Sequence, residues 1–230
     1  GKYFIHIPVT YESPDNEPAD GTQTIVGIDR GLRFLVTSYD SNGHTAFYSG
    51  KEVIQKRRHY SKLRQQLQKR GTRSSKRRLK AISGKEHRYM SDVNHCISKK
   101  LVQSYPQGTA FVLEDLSGIR DTTVKVTKKQ RYQMCSWSFS DLAQKLEYKA
   151  ARNGSSVIRI DPHYTSQTCP RCQYVDKSNR NKKLHEFCCK HCGYRSNDDR
   201  VGAMNIMNKG MDLLRQGNGY PGDNQVPEQM

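Results

Sequence analysis

An α/β fold with a mixed central sheet is predicted, carrying an inserted basic helical hairpin and a small metal-binding insert. Three observations predict it. Short β-rich runs recur along the chain, among them "TIVGID", "AFVLE" and "VIRID". Residues 51–100 read as helix and hold 17 Lys/Arg against 3 Asp/Glu. Two C-x-x-C pairs, "CPRC" and "CKHC", follow the last β-rich run.

Each element has its own local reason. Residues 2–11 alternate apolar and polar like a strand, and the acidic, turn-rich "ESPDNEPADGT" follows as a connector. "TIVGIDRGLRFLVTSYDSNGHTAFYSG" contains three β-rich runs, the last two separated by Asn42-Gly43, a strong hairpin signal. They predict a three-stranded antiparallel meander. In the basic segment, Leu63 and Leu67 share a helical face, as do Tyr89, Val93, Ile97 and Leu101. Gly71 and "GTRSSK" break it, so a hairpin of two helices is expected over 51–105. "GTAFVLEDL" and "SSVIRIDP" are short apolar runs ending in acids, as in strands buried on both faces. Between them, residues 117–137 lack periodicity and read as a mobile basic loop or lid. "SFSDLAQKLEYKAARNG" then reads as a helix, with Ser138 or Ser140 as cap, a Leu142, Leu146, Ala150 stripe and a stop at Gly154. A last helix, "DRVGAMNIMNKGMDLLRQ", precedes a tail over 217–230 whose composition predicts disorder.

Charge points to the partner. The 230 residues hold 39 Lys/Arg and 22 Asp/Glu, a formal charge of +17, with a mean hydropathy of -0.89. Residues 51–100 alone carry a net +14. So many cations with few acids between them repel one another unless a polyanion is bound, and nucleic acid is the common one. The candidate contacts are Lys56, Arg57, Arg58 and Arg64 in the first half of the segment, and Arg73, Lys76, Arg77 and Arg78 in the second. Lys128, Lys129 and Arg131 extend them into the 117–137 loop, and Tyr132, Trp137 and Tyr164 are candidates for stacking on unpaired bases. No stretch approaches the roughly 20 apolar residues that span a bilayer, so no membrane partner is expected. "GKYFIHIPVTYE" lacks the apolar core and cleavage site of a signal peptide. Seven cysteines, four of them in C-x-x-C pairs, indicate a metal in a reducing, cytoplasmic compartment.

Cys169, Cys172, Cys189 and Cys192 have the spacing of a closed four-thiolate zinc site. Such a site has no open coordination position, so its zinc is expected to be structural, contributing about 10 kcal/mol or more to folding. Cys188 competes for the third position, His185 and His191 less strongly, and Cys96 and Cys135 are expected to be buried thiols.

The chemistry is then expected from carboxylates at strand ends. Asp29 ends "TIVGID", Glu114 ends "AFVLE" and Asp161 ends "VIRID". Ligands bind beyond the carboxyl ends of strands in open α/β sheets. Acids that converge there repel one another unless a divalent cation neutralises them; magnesium prefers oxygen ligands and phosphates. Two such ions about 3.5 to 4 Å apart can stabilise attacking and leaving oxygens in phosphodiester hydrolysis. Asp161 is the second choice, because the turn made by Pro162 also explains an acid. Any one acid alone could instead cap a turn or pair with Arg30 or Arg120.

The order "GIDRG", "LED", "DPHYTSQTCPRC", "FCCKHCGY", "DRVGAMNI" resembles the catalytic half of the TnpB family of transposon-encoded, RNA-guided nucleases, related to compact type V CRISPR effectors. The resemblance covers residues 23–210 and implies an RNase H-like (RuvC) domain over 23–165 with a zinc ribbon at 166–195 and a last helix at 196–216. It implies magnesium held by Asp29, Glu114 and Asp199, and it implies DNA and a guide RNA as partners. Residues 1–22 would then be the last strand of an N-terminal wedge module and a linker. Where the family has Asn-Ala, this chain has Val201-Gly202, which leaves Asp198 as the runner-up to Asp199. The implied activity is magnesium-dependent DNA cleavage. A binding protein that does not cut and a DNA-strand transferase are the alternatives.

Overall fold

The computed structural model describes residues 24–116 and 139–216, with a few single positions among the first nine. Along them run β1 (Ile25–Asp29), β2 (Phe34–Asp40), β3 (Thr45–Ser49), α1 (Lys51–Arg70), α2 (Arg73–Gln103) and β4 (Ala110–Glu114). Then come α3 (Phe139–Arg152), β5 (Ser156–Ile160), the short strands β6 (Arg180–Asn181), β7 (Glu186–Cys188) and β8 (Arg195–Asn197), and α4 (Asp198–Arg215).

The first five strands form one sheet in the order β3-β2-β1-β4-β5. β1, β2 and β3 pair antiparallel, whereas β4 pairs parallel with both β1 and β5, so the sheet is mixed. The meander turn is held by Asp40, whose Oδ1 accepts from the backbone N–H of Asn42 and of His44, both at 2.9 Å. Both sheet faces are covered, which is why β1 and β4 are continuously apolar. Val26, Ile28, Phe111 and Leu113 face α2 and α3, packing with Leu101, Val102, Leu142 and Leu146. Ile25, Ala110, Val112, Ile158 and Ile160 face the other way, against Ile206 and Met207 of α4.

α4 lies unusually close to the sheet. A Cβ at Gly27 would stand 2.2 Å from the Ala203 carbonyl oxygen and 2.4 Å from the Met207 nitrogen. Only glycine admits a helix backbone at that distance.

The basic segment is a helical hairpin. Gly71, with φ 68°, closes α1, and Thr72 caps α2 by accepting from the Ser75 N–H at 3.2 Å. Its charges are less uniformly external than the sequence suggests. Arg57 is buried between the helices, and Arg64 forms an ion pair with Glu86. These two guanidiniums therefore belong to the hairpin interior, because one of the segment's few acids lies opposite them. Cys96 is a second correction: it is exposed, one position off the stripe that buries Ile97 and Leu101.

The Ser138 cap, Cys135, Tyr132, Trp137, Arg120, Lys128, Lys129, Arg131, the 117–137 loop and the 217–230 tail lie outside the described residues. So does most of the strand expected over 2–11; the described Tyr3, Ile5, Ile7 and Val9 are exposed and in no strand.

Candidate active site and cysteine cluster

The period of two along a strand decides which acids meet. Ile25 and Gly27 face α4, so Asp29, two residues on, extends the same row at the carboxyl end of β1. Ala110 and Val112 face α4 as well, which puts Glu114 in the matching row on β4. The parallel register pairs Ile28 with Leu113, so the next step sets Asp29 beside Glu114. Asp161 is not in this row. On β5 the residue level with Glu114 is Ile160. Asp161 lies past the strand end, exposed, where its Oδ1 accepts from the His163 N–H at 3.1 Å and contacts the His163 ring.

The third acid arrives on α4. Asn197 caps the helix, its Oδ1 accepting from the N–H groups of Asp199 and Arg200 at 3.1 and 3.0 Å. That places Asp198 and Asp199 in the first turn, where the positive end of the helix favours acids. The two then part. Asp198 is buried and accepts from Arg180 Nε at 2.8 Å, with His185 Nδ1 3.6 Å away. Asp199 lies 3.7 Å from Arg180 Nη2, and its buried Oδ2 has no hydrogen-bond partner among the described residues.

Gly202, one turn on, touches Asp29: a Cβ there would stand 2.8 Å from Asp29 Oδ2. The Gly at this position thus brings the start of α4 against the end of β1.

The electrostatics of the trio follow from burial and from like charges. Burial, then the charges of Glu114 and Asp199, push the Asp29 carboxyl up to about 7. Burial also raises Glu114, against the Thr165 hydroxyl, which donates to Glu114 Oε1 at 2.6 Å, and the charges of Arg30 and Lys209. Asp199 is raised by burial and by Asp198. Arg180 opposes the rise at all three. A raised carboxyl and an orphaned carboxylate oxygen are what a cation site looks like to its own ligands. The donor set is all oxygen, and it fits magnesium.

The four cysteines also converge. Cys169 Sγ lies 3.6 Å from Cys192 Sγ, and Cys172 Sγ lies 3.6 Å from Cys189 Sγ. Thiolates around one tetrahedral zinc sit about 3.8 Å apart, so the cluster fits that ion. The two knuckles are built alike. In each, the second cysteine is followed by a residue with positive φ, Gln173 at 60° and Gly193 at 71°, whose N–H returns to the first cysteine's carbonyl. Cys188 is on β7 outside the cluster, and His191 stacks on Tyr174. Phe187, Val201 and the cysteines share a small core, so the module packs directly on α4.

Sequence reasoning missed three participants. Arg180 sits in "KSNRNKK", where it is indistinguishable from solvated lysines. Thr165 lies within "DPHYTSQTCPRC", where nothing local marks it as a partner of Glu114. Arg200 ties the start of α4 to the sheet, donating to Thr45 Oγ1 at 2.9 Å and lying over the Tyr39 ring.

Two family models match the chain: "Probable transposase" (OrfB_IS605) over residues 6–117, and "Cas12f1-like, TNB domain" over residues 139–206. The chain is 33% identical to a CRISPR-associated endodeoxyribonuclease Cas12f1 of Sulfoacidibacillus thermotolerans, covering 93% of this chain and 51% of the relative. It is 29% identical to TnpB-like protein MJ0751 of Methanocaldococcus jannaschii, covering 76% of this chain and 64% of that protein. A Cas12f1 chain solved by cryo-EM with sgRNA and target DNA superposes with a TM-score of 0.62 at 18% identity, over 87% of this chain and 52% of that one. The chain spans about half the length of the Cas12f1 relatives it matches. With consecutive family models over both parts of its length and relatives of both kinds, this chain belongs to the TnpB family, related to the compact type V CRISPR effectors.

Proposed function

We propose that this chain is the catalytic part of an RNA-guided, magnesium-dependent DNA endonuclease. It is read as an RNase H-like (RuvC) domain with an inserted zinc ribbon. The observation that carries the reading is the convergence of Asp29, Glu114 and Asp199 from two parallel strands and a helix start, with Asp29 pushed up to about 7. Acids brought together at that electrostatic cost, on a chain of +17, suit metal-assisted phosphoryl chemistry.

Asp29, Glu114 and Asp199 would hold the magnesium, which supplies Lewis acidity and an activated water for phosphodiester hydrolysis. The residues around them do the rest. Thr165 fixes the Glu114 carboxylate by donating to Oε1. Arg180 balances the three acids and anchors Asp198, which holds the first turn of α4 in place. Zinc on Cys169, Cys172, Cys189 and Cys192 would be structural, since four thiolates leave no open position. The basic hairpin would track a nucleic-acid backbone through Lys56, Arg58, Arg73, Lys76, Arg77 and Arg78, all exposed, the last four in the first two turns of α2. DNA and guide RNA are assigned as partners because the similar Cas12f1 chain was solved with both.

The test is nicking of DNA in magnesium and in EDTA. Asp29→Ala should abolish cutting and leave DNA binding within about twofold, since catalysis and backbone contacts sit on different elements. Cutting by Asp29→Ala in magnesium would overturn the assignment. Strand transfer is the second reading, favoured by the "Probable transposase" match, and it would appear as joined instead of hydrolysed ends.

A further inference from the structure

Beside the carboxylates, a recess of about 260 Å³ opens between α4 and the segment after β5. Thr165, Thr168 and Gln173 line one side, and Asn208, Lys209 and Arg215 line the other. It adjoins the candidate active site through Thr165, which lines the recess and donates to Glu114. Its walls are fixed. Buried Asn205 donates from Nδ2 to the carbonyls of Thr165 and Thr168 at 2.7 and 2.8 Å. Lys209 Nζ donates to the carbonyls of Asp161 and His163 at 3.0 and 2.6 Å, which leaves one of its three donors for another acceptor.

A second, independent observation sits one residue before Thr165. Tyr164 has φ 64°, a left-handed conformation that side chains other than glycine adopt at a cost. Its carbonyl holds the turn, accepting from Gln167 N, Thr168 N and Thr168 Oγ1 at 2.9, 3.0 and 2.9 Å. Yet the residue is 57% exposed, so burial does not offset the strain. A large, mostly exposed ring kept in an unfavourable conformation, with the His163 ring centroid 6.2 Å from its own and one residue before the recess-lining Thr165, points to a ligand as its use.

We propose that Tyr164 and this recess form a subsite for one unpaired nucleotide of the DNA strand whose phosphate lies at Asp29, Glu114 and Asp199; the subsite rests on the nuclease reading. The base stacks on Tyr164. Gln173 and Asn208 face the base edge, each offering a donor and an acceptor. Lys209 and Arg215 hold a neighbouring phosphate. Asp212, also in the lining, suits the amino group of a base and disfavours a recess filled by phosphate alone. The consequence is a base preference at the cut that the protein carries independently of any guide.

The test is fluorescence anisotropy of short fluorescein-labelled oligo(dA), oligo(dC) and oligo(dT) with the purified chain in EDTA. The wild type should separate the three bases. Tyr164→Gly should weaken all of them by roughly tenfold, the scale of one lost stacked base. Its Tm should hold or rise, because glycine is at ease at that φ. Tyr164→Phe should bind like the wild type. The double variant Gln173→Ala/Asn208→Ala should level the base preference. Unchanged binding by Tyr164→Gly, or a Tm fall showing that the ring merely packs, would overturn the stacking role; a preserved preference in the double variant would overturn the base contact. These outcomes stand apart from the nuclease reading, which falls only if Asp29→Ala still cuts.

Discussion

Asp29 stands at the point where the sheet's two-residue period, the parallel register and the helix start coincide. Its carboxyl, pushed up to about 7, gives two linked expectations. Without metal, the folded protein binds a proton that the unfolded chain has released above about pH 4. Stability is then fully present below that pH and is lost as pH rises through about 7, and the raised carboxyls of Glu114 and Asp199 add the same sign. With magnesium the proton is a competitor, so affinity should fall roughly tenfold for each pH unit below about 7 and level off above it. Thermal unfolding in EDTA and in magnesium across pH 5 to about 8.5 checks both limbs. Asp29→Asn should be more stable than the wild type in EDTA near neutral pH and should lose most of the magnesium response. A flat stability profile in EDTA would contradict the repulsion. Arg180 makes the complementary case: its removal strands the buried Asp198 carboxylate. Arg180→Met should destabilise by about 3 to 5 kcal/mol, and adding Asp198→Asn should recover a large part, as a double-mutant cycle in urea would measure.

At the scale of elements, the association of α4 with β1 sets the geometry. Gly27→Ala places a methyl group within 2.4 Å of backbone atoms of Ala203 and Met207, which no rotamer change relieves. Overpacking against backbone should destabilise by about 2 to 4 kcal/mol and push the start of α4 away from Glu114, lowering nicking even at temperatures where the variant stays folded. Circular dichroism melting with a parallel nicking assay measures both. How legible such elements were depends on what each signal encodes. Apolar runs ending at Asp29 and Glu114 announce buried strands, and two C-x-x-C pairs announce one cluster of four thiols, because both are local patterns with a direct physical cause. The glycine in "VGID" announces nothing, since a weak strand residue and a helix-landing site look alike until the partner is in place. Asp161 ended a similar run, yet register, which no single strand displays, puts Ile160 level with Glu114. Arg57 and Arg64 were illegible for the same reason: the burial of Arg57 and the ion pair of Arg64 depend on a second helix bringing Glu86 across.

For the whole molecule, the cysteine module is the element that connects the four-thiol cluster to the carboxylates at the start of α4. It packs on α4 through Phe187 and Val201, and it supplies Arg180 and His185 to Asp198. A module this small has little core of its own, so bound zinc would contribute much of its folding free energy, about 10 kcal/mol or more. The sheet, α2 and α3 bury their own apolar faces away from it. Zinc removal should therefore be local in structure and global in function. Chelated protein, or Cys169→Ser lacking about one equivalent of zinc, should keep most of its helical circular dichroism, because the long helices lie elsewhere. It should lose nicking that excess magnesium does not restore, since Asp199 no longer has a fixed turn beneath it. Re-added zinc should recover the wild type but not the Cys169→Ser variant. Metal analysis alongside circular dichroism and nicking separates the cases: full cutting by a zinc-free chain would mean that α4 finds its place on the sheet unaided, with Gly27 and Gly202 sufficient to seat it.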